Sequence, residues 1–286
     1  MLGAVRFDAY SATTTAATPS ELFGLLFPFC GGTPRMGRGF HTFKDRLSLV
    51  TDDGDEVGSV SYGGRQGDRC MLEVKGERTP EVVEGLRKAY PHRCTRVDAC
   101  IDFERPGAFE EVLEPVLKAK REFDLYGERR GDWEKPELGR TMYLGAPSSA
   151  IRARLYEKGK QPEFRHLERF DLARLEIQVR PAKDAREQFA SLQPVEVWGA
   201  SKWTRQLAAE VLEQQLDAHP PGTVRKQANR DRALRWMCQQ YGPHLVSLSG
   251  DLGGWDVLGL TLREMIAEEK RAAERRRRLA VRPKPS

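Results

Sequence analysis

The chain has 286 residues, of which 39% are hydrophobic and 31% are charged, and its formal net charge is +5. This balance excludes a disordered chain, and because no apolar run approaches the roughly 18 to 20 residues that span a bilayer, we expect no membrane partner. The first residues lack the basic start and apolar segment of a secretory signal, so the predicted location is the cytoplasm, where a mildly basic protein can have a polyanionic partner.

The first 92 residues predict a strand, a helix, three strands and a second helix. VRFDAYS alternates apolar and polar residues, which is the period of a half-buried strand. Thr18 and Pro19 then suit the cap and the first position of a helix through ELFGLLFPF. After a CGGTPRMGRG loop, FHTFKDRLSLV, SVSY and CMLEVKG are predicted strands, and Thr79 opens a helix that runs to Tyr90.

The next 101 residues, 93–193, predict the same order of elements again. The segments are TRVDACIDF, GAFEEVLEPVLKAK, GRTMYLG, AIRARLYEK, DLARLEIQVRP and AKDAREQFASL. Two short matches fall on equivalent strands: RFDA at Arg6 matches RVDA at Arg96, and LEV at Leu72 matches LEI at Leu175. We therefore predict that residues 1–193 are a duplicated domain, with halves of about 1–92 and 93–193 that share one sheet.

Residues 194–286 have a different composition, with long amphipathic stretches that predict helices. The segment ends in KRAAERRRRLAVRPKPS, which is either a solvated helix end or an arm that contacts DNA. The predicted fold class is therefore α+β. A mostly antiparallel sheet, built from two duplicated strand-helix-strand-strand-strand-helix halves, has helices on one face and is followed by a helical C-terminal region with a basic tail.

The strand RARLYEK places unusual side chains together. Successive side chains of a strand point to opposite faces, so Arg152, Arg154, Tyr156 and Lys158 are predicted to project together. Two interpretations are open. The face is either an exposed strand surface on which a tyrosine packs its ring, or a phosphate-binding site with a tyrosine nucleophile. Tyr62 in SVSY is the internal rival, but its strand face carries glycine and valine instead of cations.

Carboxylates also recur on the predicted strands. Asp98 and Asp102 share one face of TRVDACIDF, while Glu73 and Glu176 occupy strand interiors, where glutamate is disfavoured. Pairing with an arginine, for which Arg96 or Arg174 is available, would explain Asp98 and Asp102 structurally. If the strands are neighbours, the four carboxylates converge as oxygen ligands for Mg²⁺ or Mn²⁺. A cation favours the phenolate of Tyr156 and a metal polarises a phosphodiester, which together predict a phosphotyrosyl intermediate.

In this order, TRVDACIDF, TMYLGAPSSAIRARLYEKGKQ and ARLEIQVR resemble three blocks of the rolling-circle replication initiators of staphylococcal-type plasmids and filamentous phages, the replication initiation factor family. The resemblance covers roughly residues 70 to 181. It implies that Tyr156 nicks an origin strand and becomes linked to its 5′ phosphate. It also implies that Asp98 and Glu176 bind a divalent metal, with Asp102 and Glu73 less securely placed.

The same resemblance implies origin DNA as the partner, and it makes a homodimer and a host helicase further expected partners. The plasmid members carry another acidic residue soon after the tyrosine block. KQPE runs differently here, so Glu163 receives no role.

Three other functions remain open on the sequence. A conjugative relaxase of the same family would nick a transfer origin instead. A non-catalytic DNA-binding regulator would use the basic face for phosphates and the carboxylates for salt bridges, and its binding would need no divalent ion. An RNA-binding sheet would want exposed aromatic residues, and Tyr62 and Tyr143 offer little of that. Five isolated histidines argue against a histidine metal site, and five cysteines without a C-x-x-C pair argue against a disulfide framework or a zinc ribbon, so reduced and buried thiols are expected.

Overall fold

The computed structural model describes residues 4–222 and 227–280, without the side chains at 136, 163, 167, 227–233, 235, 236 and 274–280. The chain forms two compact units, Met1–Val224 and Arg225–Ser286. Within the described residues, no helix has both the length and the apolar character that a membrane span requires. Glu163 and the Arg275–Arg278 side chains, which the sequence singles out, lie outside the described part of the chain.

The first unit contains a ten-stranded sheet in which every pair of neighbours is antiparallel. The strands are β1 (Arg6–Thr14), β2 (Thr33–Arg38), β3 (Asp45–Val50), β4 (Glu56–Tyr62), β5 (Cys70–Lys75), β6 (Arg93–Glu104), β7 (Gly127–Gly131), β8 (Arg140–Leu144), β9 (Ile151–Tyr156) and β10 (Leu172–Val179). The helices of this unit are α1 (Pro19–Cys30), α2 (Thr79–Ala89), α3 (Ala108–Glu122), α4 (Ala185–Ser191) and α5 (Lys202–Val211). The predicted α+β class, with its mostly antiparallel sheet, is confirmed.

The order of strands in the sheet is symmetric about its centre. It runs β2-β3-β4-β5-β1-β6-β10-β9-β8-β7, so the two central strands β1 and β6 open the two halves of the chain. Each half has a strand, a helix, four strands and a second helix. The sequence predicts three strands after the first helix, so it misses one strand in each half. The extra strands, β2 and β7, are the two edges of the sheet, and their largely exposed residues give no hydrophobic period.

Helices cover one face of the sheet and leave the other open. Alternate strand residues such as Tyr10, Val97, Leu155 and Ile177 point toward the helices and join a single core. Full burial of such side chains stabilises the fold by roughly 1.5–3 kcal/mol each. The intervening residues, many of them charged, face the open side. This pattern places the predicted site residues of β6, β9 and β10 on the open face.

The start of α1 follows the sequence prediction closely. The Thr18 hydroxyl accepts a hydrogen bond from the Glu21 amide, and the Glu21 carboxylate accepts one from the Thr18 amide at 2.7 Å. Pro19 occupies the first turn, where its missing amide proton costs no hydrogen bond. This capping box satisfies two backbone groups that would otherwise lack partners.

Helix α5 belongs to the first unit, although the sequence places it in the region after residue 193. Its Trp203, Leu207 and Ala208 lie on one stripe and are buried in the core. At the surface, Lys118 Nζ of α3 and the Glu210 carboxylate are 2.9 Å apart. The amphipathic pattern of α5 therefore serves the sheet domain and does not begin a separate helical region.

The second unit contains two long helices, α6 (Gln227–Asp251) and α7 (Trp255–Ala280). Gly253 and Gly254 separate them with positive φ angles of 89° and 144°, which favour glycine. The predicted helical C-terminal region is confirmed. All five cysteines are free thiols, and three of them are buried, whereas Cys30 is half-buried and Cys238 is exposed on α6.

Candidate active site

Three adjacent strands bring the predicted site residues together on the open face. Strand β10 lies between β6 and β9, with β8 beyond β9. The register gives three cross-strand rows: Asp98–Gln178–Arg152, Cys100–Glu176–Arg154 and Asp102–Arg174–Tyr156. Cross-strand neighbours of this kind have Cβ atoms about 4.5–5.5 Å apart. The acidic strand β6 and the tyrosine strand β9 thus contribute to one surface.

An open pocket of about 350 Å³ lies over two of these rows. Asp98 and Glu176 both line it, together with Arg152, Arg154 and the β1 residue Asp8. Asp102 and Glu73, the other two predicted metal ligands, are not among the residues that line this pocket. The structure therefore brings together the two carboxylates that the sequence blocks favour most and adds a third, Asp8.

Glu176 is buried with only 5% exposure, and its surroundings disfavour the ionised carboxylate. Burial, together with the negative charges of Asp98 and Asp8, raises the pKa of Glu176 to about 7, although the Arg154 charge acts in the opposite direction. Arg154 Nη2 donates to Glu176 Oε2 at 2.7 Å. A buried carboxylate beside two others is an environment that a bound cation would relieve.

Asp98 is 2% exposed and has two donors. Arg96 binds both carboxylate oxygens, with Nε 2.9 Å from Oδ1, and Gln178 Nε2 donates to Oδ2 at 3.2 Å. These partners hold the carboxylate toward the pocket. They also supply the arginine pairing that a purely structural role would require.

The donor set allows a test of the predicted Mg²⁺ or Mn²⁺ site. In the described ranges, no cluster of three or more His, Cys, Asp or Glu side chains has the arrangement of a metal centre. Mg²⁺ commonly keeps several waters and takes only one or two protein carboxylates together with substrate phosphates, and Mn²⁺ favours similar oxygen ligands. Asp98 and Glu176, on the wall of one open pocket, fit that smaller set.

Asp102 and Glu73 are bound by arginines elsewhere on the open face. Arg174 holds Asp102 with two hydrogen bonds of 2.5 and 2.8 Å, and Arg6 adds another at 2.8 Å. Burial raises the pKa of Asp102, but Arg174 and Arg6 outweigh it and lower the pKa to about 2. Glu73 lies on β5, two strands from β6, and accepts from Arg46 Nη1 at 2.6 Å. Their role as metal ligands stays a prediction.

Tyr156 is almost completely covered, with 3% exposure. The Arg154 guanidinium lies 4.3 Å from the centre of its ring, and Arg154 Nη2 is 3.5 Å from the hydroxyl. Burial raises the pKa of Tyr156 far above its ordinary value, although the charges of Arg154 and Arg174 act in the opposite direction. The neighbouring cations therefore act in the predicted direction, toward the phenolate, but burial has the larger effect on the pKa of Tyr156.

Lys158 lies outside the strand that carries the other predicted residues. Strand β9 ends at Tyr156, and Lys158 begins a short 3₁₀ turn to Lys160. Glu157 binds Arg140, which also contacts Glu110 of α3, so Glu157 lies on the helix-covered side, as the alternation predicts. Lys158 is 4% exposed, and its Nζ lies 4.3 Å from the centre of the Phe164 ring. Burial and the nearby Arg174 charge lower the pKa of Lys158.

The two remaining predicted residues, Arg152 and Tyr62, lie on opposite faces of the sheet. Arg152 is on the wall of the pocket, where its Nε donates to the Gly145 carbonyl at 3.3 Å and its guanidinium lies 5.0 Å from the centre of the Tyr143 ring. Tyr62, the rival nucleophile, packs against the core on the helix-covered side. It therefore does not share the face that carries Tyr156.

Asp8 is a residue of the site that the sequence prediction misses. Asp8 lines the pocket and accepts from Arg174 Nη1 at 2.5 Å, and Arg174 also binds Asp102. A signal for Asp8 was present, since RFDA at Arg6 repeats RVDA at Arg96 and places Asp8 where Asp98 stands in the second half. Arg174 is predicted only as an available arginine partner for the carboxylates of TRVDACIDF, and the strand register gives it Asp102 and Asp8 as partners.

No protein-family model matches the chain, and a search of curated proteins finds no significant match. Among solved structures, the rolling circle replication initiator protein from Geobacillus stearothermophilus is similar to this chain with a TM-score of 0.45 and 20% sequence identity. The match covers 68% of this chain and 83% of that one.

Proposed function

We propose that this protein initiates rolling-circle replication by nicking one DNA strand through Tyr156 and later rejoining it. The observation that carries the proposal is that Arg154, which lines the pocket together with the buried carboxylates Asp98 and Glu176, also covers the Tyr156 ring. A tyrosine beside a guanidinium, next to oxygen ligands in an open pocket, is suited to phosphoryl transfer. The three sequence blocks support the same chemistry.

In the proposed reaction, the Tyr156 oxygen attacks the phosphorus of a phosphodiester. The phenol loses its proton, the bond to the 3′ oxygen breaks, and that oxygen gains a proton to become a free hydroxyl. The number of phosphate ester bonds is unchanged, so the reverse attack by a 3′ hydroxyl rejoins a strand. A divalent ion held by Asp98 and Glu176 would polarise the phosphate and stabilise the charge that develops on it.

Arg154 has a central part in this proposal because it contacts both the nucleophile and a carboxylate. Its Nε is buried and has no hydrogen-bond partner among the described residues. A scissile phosphate would bind this donor and draw the guanidinium from the Tyr156 ring, exposing the hydroxyl and releasing Glu176. Arg152, on the wall of the same pocket, offers a second guanidinium for the phosphate.

The proposed substrate is single-stranded DNA at an origin. A conjugative relaxase would use identical chemistry at a transfer origin, and the proposal does not separate the two. A homodimer and a host helicase are partners that the sequence resemblance implies, and they stay predictions.

A non-catalytic DNA-binding regulator is the second candidate. The observation that favours it is the pairing of the proposed metal ligands with arginine: Asp98 with Arg96, and Glu176 with Arg154. Such a protein would bind DNA equally well in EDTA. Nicking, in contrast, should require Mg²⁺ or Mn²⁺.

The test is covalent attachment of origin DNA. Wild-type protein, incubated with labelled DNA from the origin of its own replicon and Mn²⁺, should give an adduct that survives a denaturing gel. Mass spectrometry of the digested adduct should find the nucleotide on the Tyr156 peptide. Tyr156→Phe should form almost no adduct, although its free energy of unfolding should change by no more than about 1 kcal/mol.

Tyr143→Phe is the matched control, because Tyr143 lies on the same face one strand away. Its adduct yield should equal that of wild type. A DNA-linked residue other than Tyr156, or full nicking by Tyr156→Phe, would disprove the proposed role. Adduct formation that persists undiminished in EDTA would disprove the metal requirement.

A further inference from the structure

The arginines of the open face differ between its two ends. At the end where β6 finishes, they pair with carboxylates: Arg174 and Arg6 with Asp102, and Arg169 with Glu104. At the end where β6 begins, four arginines have no carboxylate within 4.0 Å among the described residues. These are Arg69, Arg152, Arg180 and Arg186.

Each of these four arginines is instead held by one neutral oxygen. The contacts are Arg69 Nη1 to Gln66 Oε1 at 3.4 Å, Arg152 Nε to the Gly145 carbonyl at 3.3 Å, Arg180 Nη1 to the Pro147 carbonyl at 3.0 Å and Arg186 Nε to the Pro181 carbonyl at 3.2 Å. A guanidinium has five N–H donors, so most of their donors remain available to a ligand. Neutral anchors orient these side chains without cancelling their charge.

A groove of about 630 Å³ connects these arginines with the candidate active site. Arg69, Arg96, Arg180 and Arg186 line it, and Arg96 and Arg180 also line the pocket that contains Asp98 and Glu176. Glu73 is the acidic residue on its wall, and Arg46 binds that carboxylate. The groove is therefore a strongly positive extension of the pocket toward the first half of the chain.

The crowding of like charges points to an anionic ligand. Burial lowers the pKa of Arg180, and the charges of Arg96 and Arg152 lower it further. A polyanion in the groove would relieve this repulsion. Because the groove is concave and continues from the pocket, it suits the flexible backbone of a single strand better than the wide cylinder of a duplex.

We propose that the groove lined by Arg69, Arg96, Arg180 and Arg186 binds the backbone phosphates of the single strand that flanks the phosphate at Tyr156. This inference rests on the proposed function and extends it, because it assigns the first half of the chain a role in holding substrate. The contacts are to phosphates, so they position the strand and do not read its sequence.

The experiment measures the salt dependence of binding to a mixed-sequence single-stranded DNA oligonucleotide, with wild type and an Arg69→Gln/Arg186→Gln double variant. Neither residue lines the pocket beside Tyr156. The plot of log K against log salt concentration should become shallower by about 1.4, because each phosphate contact to a single strand contributes about 0.7. Each single variant should show about half of that change.

The matched control is Arg105→Gln/Arg169→Gln, which removes the same charge from exposed arginines that pair with Glu111 and Glu104. Its slope should equal that of wild type. An unchanged slope in the groove variant, or an equal change in the control, would overturn the inference. A larger change on duplex than on single-stranded DNA would also overturn it, since a duplex would then be the ligand.

Binding and nicking fail separately in this design. Tyr156→Phe should retain the wild-type slope, because it removes no phosphate contact of the groove. If wild type forms no covalent adduct but the groove variant has a shallower salt slope, the groove proposal stands and the nicking proposal is wrong. If wild type forms the adduct but the groove variant has the wild-type slope, the nicking proposal stands and the groove proposal is wrong.

Discussion

Arg154 links the two chemical features of the candidate site at the scale of single residues. Its guanidinium covers the Tyr156 ring and donates to Glu176 at 2.7 Å. One side chain therefore shields the proposed nucleophile and neutralises a proposed metal ligand at the same time. In the proposed reaction, a phosphate that binds Arg154 changes both neighbours together, so substrate binding prepares the site.

Asp98 and Asp102 lie on the same strand, and we expect their asparagine variants to fail in different ways. Asp98→Asn removes a ligand charge from the pocket wall, so nicking and Mn²⁺ affinity should fall by at least tenfold while the fold persists. Asp102→Asn should instead destabilise the protein, because Arg174 and Arg6 lose their shared carboxylate. The measurements are adduct yield, Mn²⁺ titration by calorimetry and urea unfolding for both variants.

The pH dependence of stability separates these roles further. The pKa of Asp102 is lowered from 3.8 to about 2 in the folded protein, so its contribution to stability is present above 3.8 and is lost as the pH falls toward 2. That contribution is about 2 kcal/mol, since one pKa unit corresponds to about 1.4 kcal/mol. The stability difference between wild type and Asp102→Asn should shrink over this window. Equal stability of the two at neutral pH would show that the arginine pairing is not structural.

Which residues share a face is predictable from the sequence, because strand alternation alone places Asp98 with Asp102 and Arg154 with Tyr156. Partners across strands are not predictable in this way. Asp102 binds Arg174 and Arg6 only because β10 and β1 flank β6 in a particular register. The local sequence does not distinguish a carboxylate that pairs with arginine from one that could bind a metal.

At the scale of elements, the strands that escape prediction are the two edges of the sheet. Strands β2 and β7 each pair with one neighbour and have largely exposed side chains, so neither needs an apolar face. Interior strands bury alternate residues and reveal themselves by that period. For helix α5, the sequence predicts the element but not its place in the fold. Its amphipathic stripe predicts a helix but does not specify which surface the helix covers.

Arg140 joins three elements near the end of β9. Its backbone amide and Nε donate to Glu157 Oε2 at 2.8 and 3.0 Å, and its Nη2 donates to Glu157 Oε1 at 2.9 Å and to Glu110 of α3 at 2.5 Å. Arg140→Gln would leave the buried Glu157 carboxylate with a shorter side chain and Lys160 for charge. We expect a loss of about 3 kcal/mol in the free energy of urea unfolding.

Arg130→Gln in the same hairpin is the control, because Arg130 pairs with Glu128 on the exposed side of β7. Exposed ion pairs contribute little to stability, so its unfolding midpoint should match that of wild type. Equal stability of Arg140→Gln and Arg130→Gln would show that the buried network does not hold β8 against the end of β9.

At the scale of the whole molecule, the duplicated halves have diverged in chemistry. Glu73 of the first half and Glu176 of the second occupy equivalent strands, but Ser59 faces Glu73 where Arg154 faces Glu176. The next row has Ser61 in place of Tyr156 and Met71 in place of Arg174. The first half thus has no tyrosine at this position, and it contributes Asp8 to the pocket and Arg69 to the proposed groove.

The last prediction concerns the second unit, whose terminal run Arg275–Arg278 is the most basic stretch of the chain. All residues assigned to chemistry lie in the first unit, so the basic run should serve duplex binding and not the nicking step. Replacing the four arginines with glutamine should weaken duplex binding and make its salt dependence shallower by up to about 3.6, since each contact to B-DNA contributes about 0.9. Cleavage of a single-stranded oligonucleotide at saturating protein should remain at the wild-type level.

A control with the same charge change uses exposed cations that already pair with carboxylates, namely Lys88, Arg105, Arg121 and Arg169. Loss of single-strand cleavage in the folded tail variant, or an equal loss of duplex binding in the control, would contradict this division of labour.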